Sequence, residues 1–426
     1  MPYLVESNLL PKFQSGYRSH HSTETLLVRL LSDLHTSIDN GEVTILALLD
    51  VSAAFDSVDH NILIRRLRTS FGINNRALDW LESFVRGRTQ SVQIGSLRSE
   101  WRVIGTGVPQ GSVLGPLLYV LFTADVLEVA GRAGAGVQQY ADDTQAYRHC
   151  KASEAMHALI ELVNTIAEIK DWMSSNRLKL NPSKTQYIWI GNKIQLAKID
   201  RQALLQRFPG IVFETSVIDL GVVIDEELKM DAHVGRITRS CFYQLRQIRT
   251  IRQSLSDSAI RTLIHSFVVT RIDYCNSVLS GITAVQTERV QRILNAAARL
   301  VLRIPKFAPV STLIRDNLHW LPAVQRIKFK ILQLVANCLH QRAPLYLQEL
   351  CVLVSAVPGR RHLRSADQFC LVVNRCRLSS MQRRGFAVAG PLAWNDLPVA
   401  VRVSIARNRN SYRTLIKTHL FNLAIK

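Results

Sequence analysis

Three aspartates in this chain stand where carboxylates can hold a cation against phosphate. Asp50 closes the apolar run 43–51, and Asp142 and Asp143 are neighbours in Tyr140-Ala-Asp-Asp143, a tight turn between two short apolar stretches. Charged side chains at the end of a doubly buried strand and at a hairpin tip are costly unless something uses them. Mg²⁺ is held by one or two carboxylates, with phosphate and water completing its shell, so a sparse set of aspartates at strand ends is the expected form of such a site. Two ions about 3.5–4 Å apart serve the attacking and leaving oxygens of a phosphoryl displacement. Either half alone has a plain explanation: a cap for Asp50, a solvated turn for Asp142-Asp143.

The elements that must position these residues are legible from periodicity. Residues 22–39 carry apolar side chains at helical spacing, with Ser22 as cap and Gly41 as stop. The run 43–51 reads as a buried strand, 61–70 and 75–85 as helices, 89–94 and 97–104 as alternating strands. A loop at 109–115 precedes a helix over 116–129, and 137–139 with 144–147 form the hairpin that presents Asp142 and Asp143. A long amphipathic helix covers 155–173, and 186–190 is strand-like. Beyond 231 the pattern is helical, over 231–252, 257–279 and 284–302, after which seven prolines break it into pieces.

Five motifs follow one another in order: Asp50-Val-Ser-Ala-Ala-Phe55-Asp56, Gly107-Val-Pro-Gln110-Gly111-Ser112, Tyr140-Ala-Asp-Asp143, Leu180-Asn-Pro-Ser-Lys184-Thr185 and Leu220-Gly221. With Phe13-Gln14-Ser15-Gly16-Tyr17-Arg18 and Ser22-Thr23 ahead of them, they resemble the reverse transcriptases of non-LTR (LINE-like) retrotransposons over residues 10–234. The resemblance implies an α+β fold of right-hand polymerase architecture. Partial fingers would cover 1–42, an antiparallel-sheet palm 43–230, a helical thumb 231–302 and a mostly helical basic extension 303–426. The family carries an Asn-Tyr-Arg-Pro-Ile-Ser-type segment and an endonuclease further upstream, so truncation at the N-terminus is the expectation.

The resemblance also assigns roles. Asp50 and Asp142 would ligate two Mg²⁺, with Mn²⁺ as a substitute, while Asp143 assists and the Val51 carbonyl faces a metal. Phe55 matches the gate that rejects a 2′-hydroxyl; Gln110 and Gly111 match the loop that contacts incoming nucleotide and template. Tyr140 resembles the aromatic supporting the primer end, and Arg18 the cation reaching the triphosphate. Lys184 stands where the family has a lysine that protonates the leaving pyrophosphate, and Leu220-Gly221 with Asp225 resembles the primer-grip hairpin. His20, His21 and His60 match family positions without a catalytic need.

The implied activity is RNA-directed DNA polymerisation with RNA template, DNA primer and dNTPs as partners; the alternative is a catalytically silent nucleic-acid-binding remnant. An RNA-copying RNA polymerase fits less well, because Phe55 would obstruct a ribose and Ala141 stands where such enzymes carry glycine.

Charge agrees with a nucleic-acid partner. The net charge of +20 is spread unevenly: −2 over 1–150, +6 over 151–300 and +16 over 301–426. In the last segment Arg360-Arg361, Arg364, Arg375, Arg377, Arg383-Arg384, Arg402, Arg407 and Arg409 are candidate phosphate contacts, whereas Trp320, Phe369 and Trp394 read as packing residues. The seven cysteines stand singly, without the paired spacing of a structural zinc site. The chain lacks a cationic-then-apolar leader, and no stretch reads as one of the roughly 18 apolar residues that span a bilayer, so an intracellular, non-membrane protein is expected, nuclear or cytoplasmic.

Overall fold

The computed structural model describes residues 2–132, 134–359, 367–377 and 383–424. They form two compact units: 1–22 with 43–189 and 196–214, and 23–42 with 190–195 and 215–426.

The first unit is built on a four-stranded sheet, in the spatial order Gln186–Ile190, Val43–Leu49, Asp143–Cys150, Gly136–Tyr140. We label these strands in chain order β1 (Val43–Leu49), β2 (Gly136–Tyr140), β3 (Asp143–Cys150) and β4 (Gln186–Ile190). β1 and β3 are antiparallel in the register Val43↔Cys150 to Leu49↔Thr144, and β2 and β3 form the hairpin closed by Tyr140↔Asp143. Because β1 and β3 are central, β1 is a near-continuous apolar run, with Ile45, Leu46 and Ala47 fully buried. Helix α1 (Ala155–Ser175) packs on β1 and β3 through Leu159, Leu162 and Ile169. The sequence expectation for this unit is met closely, with helices at His60–Thr69 and Asn75–Val85.

One helix differs. The expected 116–129 helix starts at Leu114 and is interrupted between Phe122 and Val126, resuming to Arg132. Contrary to the sequence expectation, residues 114–132 are long and apolar enough to cross a membrane by length and composition alone. Leu118, Tyr119, Val120, Leu121 and Phe122 are buried, so that apolarity is spent on the core of the first unit.

The second unit is mostly helical. Helix α2 (Asp231–Thr250) packs on α3 (Ala284–Leu302), and Ala323–Leu339 packs on Phe386–Asn395 and Tyr412–Leu423. A capping box of Thr283 and Gln286 starts α3, and Gln286 Nε2 also donates to Asp231 Oδ1 at 2.6 Å, fixing both helix starts together. The expected helix 257–279 runs to Asp273 through a π-helical segment at His265–Val269, breaks where Tyr274 is extended, and resumes as a 3-10 turn over Asn276–Leu279.

The division at 42/43 and 230/231 read from the sequence also differs from what is found. The helix Thr23–Asp39 belongs to the second unit and is buried on nearly all sides. Both of its buried carboxylates are partnered there: Glu24 accepts from Ser277 Oγ at 2.6 Å and pairs with Lys330 at 3.1 Å, and Asp39 accepts from Arg377 N at 3.0 Å.

Candidate functional site

The register that pairs Leu49 with Thr144 brings Asp50, at the exit of β1, beside Asp143, the first residue of β3. Asp142 precedes it in the turn. The three carboxylates feel one another. Burial raises the Asp142 pKa, with the hydrogen bond to its own backbone opposing and Asp50 adding to the rise. Asp143 is pushed up to about 6 by desolvation, then by Asp142 and Asp50. Asp50 Oδ2 is buried and accepts no hydrogen bond; Lys184 Nζ lies 3.4 Å from it.

Lys184 reaches Asp50 because of its own local chain. The pair Val51–Ser52 bridges antiparallel to Lys179–Leu180, and Asn181 N donates to the Asp50 carbonyl at 2.8 Å. Asn181 Oδ1 accepts from Ser183 N and Oγ, capping the single helical turn Pro182–Lys184.

The turn holding Asp142 is itself gripped. Ala141 sits at φ 59, a left-handed conformation unusual for alanine. Buried Gln14 accepts from Ala141 N at 2.9 Å and from Gly16 N at 2.8 Å, and donates to the Ala141 carbonyl at 3.1 Å. Ser15 N donates to the Gln139 carbonyl at 2.8 Å, and Gln139 N to the Phe13 carbonyl at 2.9 Å. Gly16 is required by proximity: a Cβ there would lie 2.4 Å from Ala141 N.

An aromatic floor completes the site. The Phe55 ring stacks on Tyr119 at 4.6 Å and meets Tyr17 edge-on at 6.5 Å. Burial and then the charges of Asp142 and Asp143 push the Tyr119 hydroxyl far above its usual range, so it stays protonated. Gln110 Nε2 donates to Asp56 Oδ1 at 3.0 Å, and exposed Gly111 at φ 78 has open space where a side chain would project. His60 Nε2 bonds the Gly107 carbonyl at 2.7 Å, which makes it a support of that loop.

The reverse transcriptase (RNA-dependent DNA polymerase) family model matches residues 2–217. The chain belongs to the reverse transcriptase family. It is 30% identical over 328 residues to a probable RNA-directed DNA polymerase from transposon BS of Drosophila melanogaster, covering 74% of this chain and 35% of that protein. It is also 30% identical over 244 residues to the RNA-directed DNA polymerase from mobile element jockey of Drosophila funebris, covering 54% of this chain and 25% of that one. The chain thus spans about a quarter to a third of the length of these curated relatives. A solved telomerase from Candida tropicalis, in complex with a fragment of telomeric RNA, aligns at TM-score 0.42 and 12% identity over 99% of this chain and 56% of that one, a likeness too loose to bear on the argument.

The reverse transcriptase residues gathered in the first unit are Asp50, Val51, Phe55, Gln110, Gly111, Tyr140, Asp142, Asp143 and Lys184. Arg18 lies in that unit too, but its guanidinium donates to the Pro11 carbonyl and, at 3.0 Å, to the Gln14 carbonyl, holding the loop that carries Gln14. Leu220 and Gly221 lie in the second unit, as the φ 43 and φ 83 corners of a hairpin between Ser216–Asp219 and Val222–Asp225. Tyr274 Oη donates to the Leu220 carbonyl at 2.7 Å. Asp225 accepts from Glu227, Lys229 and Met230 backbone N–H groups, a structural task.

Two residues were missed by sequence reading. Gln14, quoted only as part of the motif 13–18, and Tyr119 act through contacts 127 and 64 residues away, and nothing local announces the role of either. The C-terminal arginines also need correcting. Arg402 is buried and donates to the Gln368, Asn395 and Leu397 carbonyls, so it is not a phosphate contact; Arg384 is half-buried and donates to the Ser280 carbonyl at 3.4 Å. Arg375, Arg377, Arg383, Arg407 and Arg409 are exposed; Arg360, Arg361 and Arg364 lie outside the described residues. Trp394 is fully buried, as expected of a packing residue.

The donor set suits a hard divalent cation. Among the described residues no three or more His, Cys, Asp and Glu side chains close into a metal cage. Asp50 Oδ2, without a hydrogen bond and met only by Lys184 Nζ at 3.4 Å, and the raised carboxyls of Asp142 and Asp143 mark negative charge that the protein compensates only in part.

Proposed function

We propose that this chain is the polymerase portion of a non-LTR retrotransposon protein and catalyses RNA-directed DNA synthesis, adding a deoxynucleotide from a dNTP to a primer 3′-hydroxyl on an RNA template. The observation that carries the reading is the convergence of Asp50, Asp142 and Asp143, with Asp50 raising both of the others, Asp142 raising Asp143, and the charges of Asp142 and Asp143 reaching Tyr119 of the Phe55–Tyr119 stack. The first unit then serves as palm with inserted fingers elements, residues 231–302 as thumb and 303–426 as a basic extension.

Asp50 and Asp142 would hold two Mg²⁺, or Mn²⁺ in their place, with Asp143 adding charge and the Val51 carbonyl as a further candidate ligand. The bound ions supply activation of the 3′-hydroxyl and neutralise charge on the departing pyrophosphate. Phe55, half-buried and braced by Tyr119, occupies the volume a 2′-hydroxyl needs and so selects the deoxy sugar. Exposed Gly111 lets nucleotide and template approach the backbone, and Gln110 is held ready by Asp56. Tyr140, at the head of the aspartate turn, supports the primer end, as do Leu220 and Gly221. Lys184 Nζ, 3.4 Å from Asp50 Oδ2, is the group that would give its proton to the pyrophosphate oxygen.

The test is primer extension on poly-rA with oligo-dT, dTTP and Mg²⁺, comparing the chain with Asp142→Asn. Extension by the wild type, lowered at least about 1,000-fold in the variant, supports the reading. A folded, RNA-binding wild type that extends nothing with either Mg²⁺ or Mn²⁺ would make it a silent remnant.

A further inference from the structure

The second unit carries a cleft of about 620 Å³ between the C-terminal halves of α2 and α3 and the loop that follows α3. That volume is in the range of ligand clefts. Its lining includes the exposed cations Arg246, Arg249, Arg303 and Lys306, and contains no carboxylate. The nearest acid, Asp257, is already shared by Arg252 at 2.8 Å and Arg303 at 3.4 Å. Phe307, also in the lining, is 88% exposed, with Lys306 Nζ 5.2 Å from its ring centre.

Helix C-termini ordinarily repel anions through their free carbonyls. Here Arg252 meets that objection at the end of α3, donating to the Leu300 and Val301 carbonyls at 3.1 and 3.3 Å, while Arg299 donates twice to the Ala308 carbonyl of the following loop, at 3.2 and 3.0 Å. The cleft therefore has one inner guanidinium on the helix end, a second that ties down its loop, and an outer set of cations exposed to solvent.

We infer that this cleft is a binding site for single-stranded nucleic acid, with Arg246, Arg249 and Lys306 on successive phosphates and the open face of Phe307 stacked on a base. Cations that track a backbone beside an exposed ring are what unpaired strands require, and the ring has no use for a duplex whose bases are already stacked. The inference rests on the polymerase reading for the presence of nucleic acid, but it concerns grip rather than chemistry, so it is measured without metal or dNTP.

The experiment is fluorescence anisotropy of labelled oligo-dT and oligo-U 20-mers with the full chain over a salt series. The variants are Arg246→Glu with Arg249→Glu, Phe307→Ala, and a charge-matched control of Arg132→Glu with Arg207→Glu on the first unit. All five positions are exposed, and circular dichroism confirms folding. The paired reversal is expected to weaken binding at least about 10-fold and to flatten the slope of log affinity on log salt by about 1.4, two phosphates at roughly 0.7 each. Phe307→Ala is expected to weaken it about 5- to 50-fold with the slope unchanged. The control should move neither beyond about 2-fold.

Equal losses in the cleft and control pairs would mean a response to net charge alone and overturn the site. So would a Phe307→Ala variant that binds like wild type, or dependence on Arg246 and Arg249 for anionic vesicles while oligonucleotides do not bind. Primer extension by Asp142→Asn is independent of each of these, so a failed cleft and a failed active centre are told apart.

Discussion

Two hairpin turns in this chain are built to opposite rules. In Tyr140-Ala-Asp-Asp143 a left-handed alanine and two crowded carboxylates are held by an outside residue, Gln14. In Asp219-Leu-Gly-Val222 the second left-handed corner is a glycine, and the nearby Asp225 carboxylate is satisfied by three backbone N–H groups. The second turn also has a left-handed non-glycine corner, Leu220 at φ 43, and an outside donor, Tyr274 Oη, on its carbonyl, but only in the first do adjacent carboxylates raise one another. Backbone strain is common to both turns; crowded charge is kept where a substrate or ion is to complete the structure.

The sharpest way to break this comparison is at Gly16. Gly16→Ala puts a methyl 2.4 Å from a backbone nitrogen that Gln14 holds fixed, so the turn or the 13–18 loop must move. A cost of about 3 kcal/mol is expected, with a melting temperature lower by about 6–12 °C and extension more than 10-fold slower. Glycine at 221 faces the Tyr274 ring at 3.3 Å instead, and the corresponding change there should leave the aspartate turn untouched.

Next is Gln14→Ala, which strands the Ala141 N–H and C=O and the Gly16 N–H in a buried place. About 2–3 kcal/mol of stability should go. Slower extension with primer–template affinity within about 2-fold of wild type would show that Gln14 positions the turn; equal loss of both would reduce it to a general packing residue.

Asp225→Ala tests the other turn. Three donors lose their acceptor at a half-exposed site, for about 1–2 kcal/mol, read by urea denaturation. Extension per folded molecule should hold steady, because Asp225 performs no chemistry.

How much of this was readable in sequence follows from how local each cause is. Helices 75–85 and 284–302 came out with their observed bounds because caps and apolar period lie within the segment itself. Asp50 and Asp142-Asp143 were legible because charge interrupts apolar strands. The break after Asp273 was not, since it frees Tyr274 to bond Leu220, a partner 54 residues earlier. Pro391 misled in the other direction: it sits inside the helix Phe386–Asn395, at its sixth residue, where a breaker was expected. Arg402 looked like one more exposed cation until its three carbonyl acceptors placed it in the core.

The smallest effect is also the most diagnostic of unrelieved charge. Asp143 has a folded-state pKa of about 6, above the ordinary carboxylate value near 3.9, so its ionisation opposes folding. The stability it permits is fully present below about pH 3.9, declines as pH rises through 6, and is absent at pH 7. Asp143→Asn should therefore stabilise the metal-free chain at pH 7 and do nothing at pH 3.5. Asp143 is exposed, and solvent screening trims the gain to about 1 kcal/mol or less, a rise of about 2–4 °C in melting temperature. Mg²⁺ at millimolar concentration should erase the advantage by stabilising the wild type alone. If the variant melts like wild type at both pH values, with and without Mg²⁺, the carboxylates are already solvated enough to ignore one another, and the two turns no longer differ in charge.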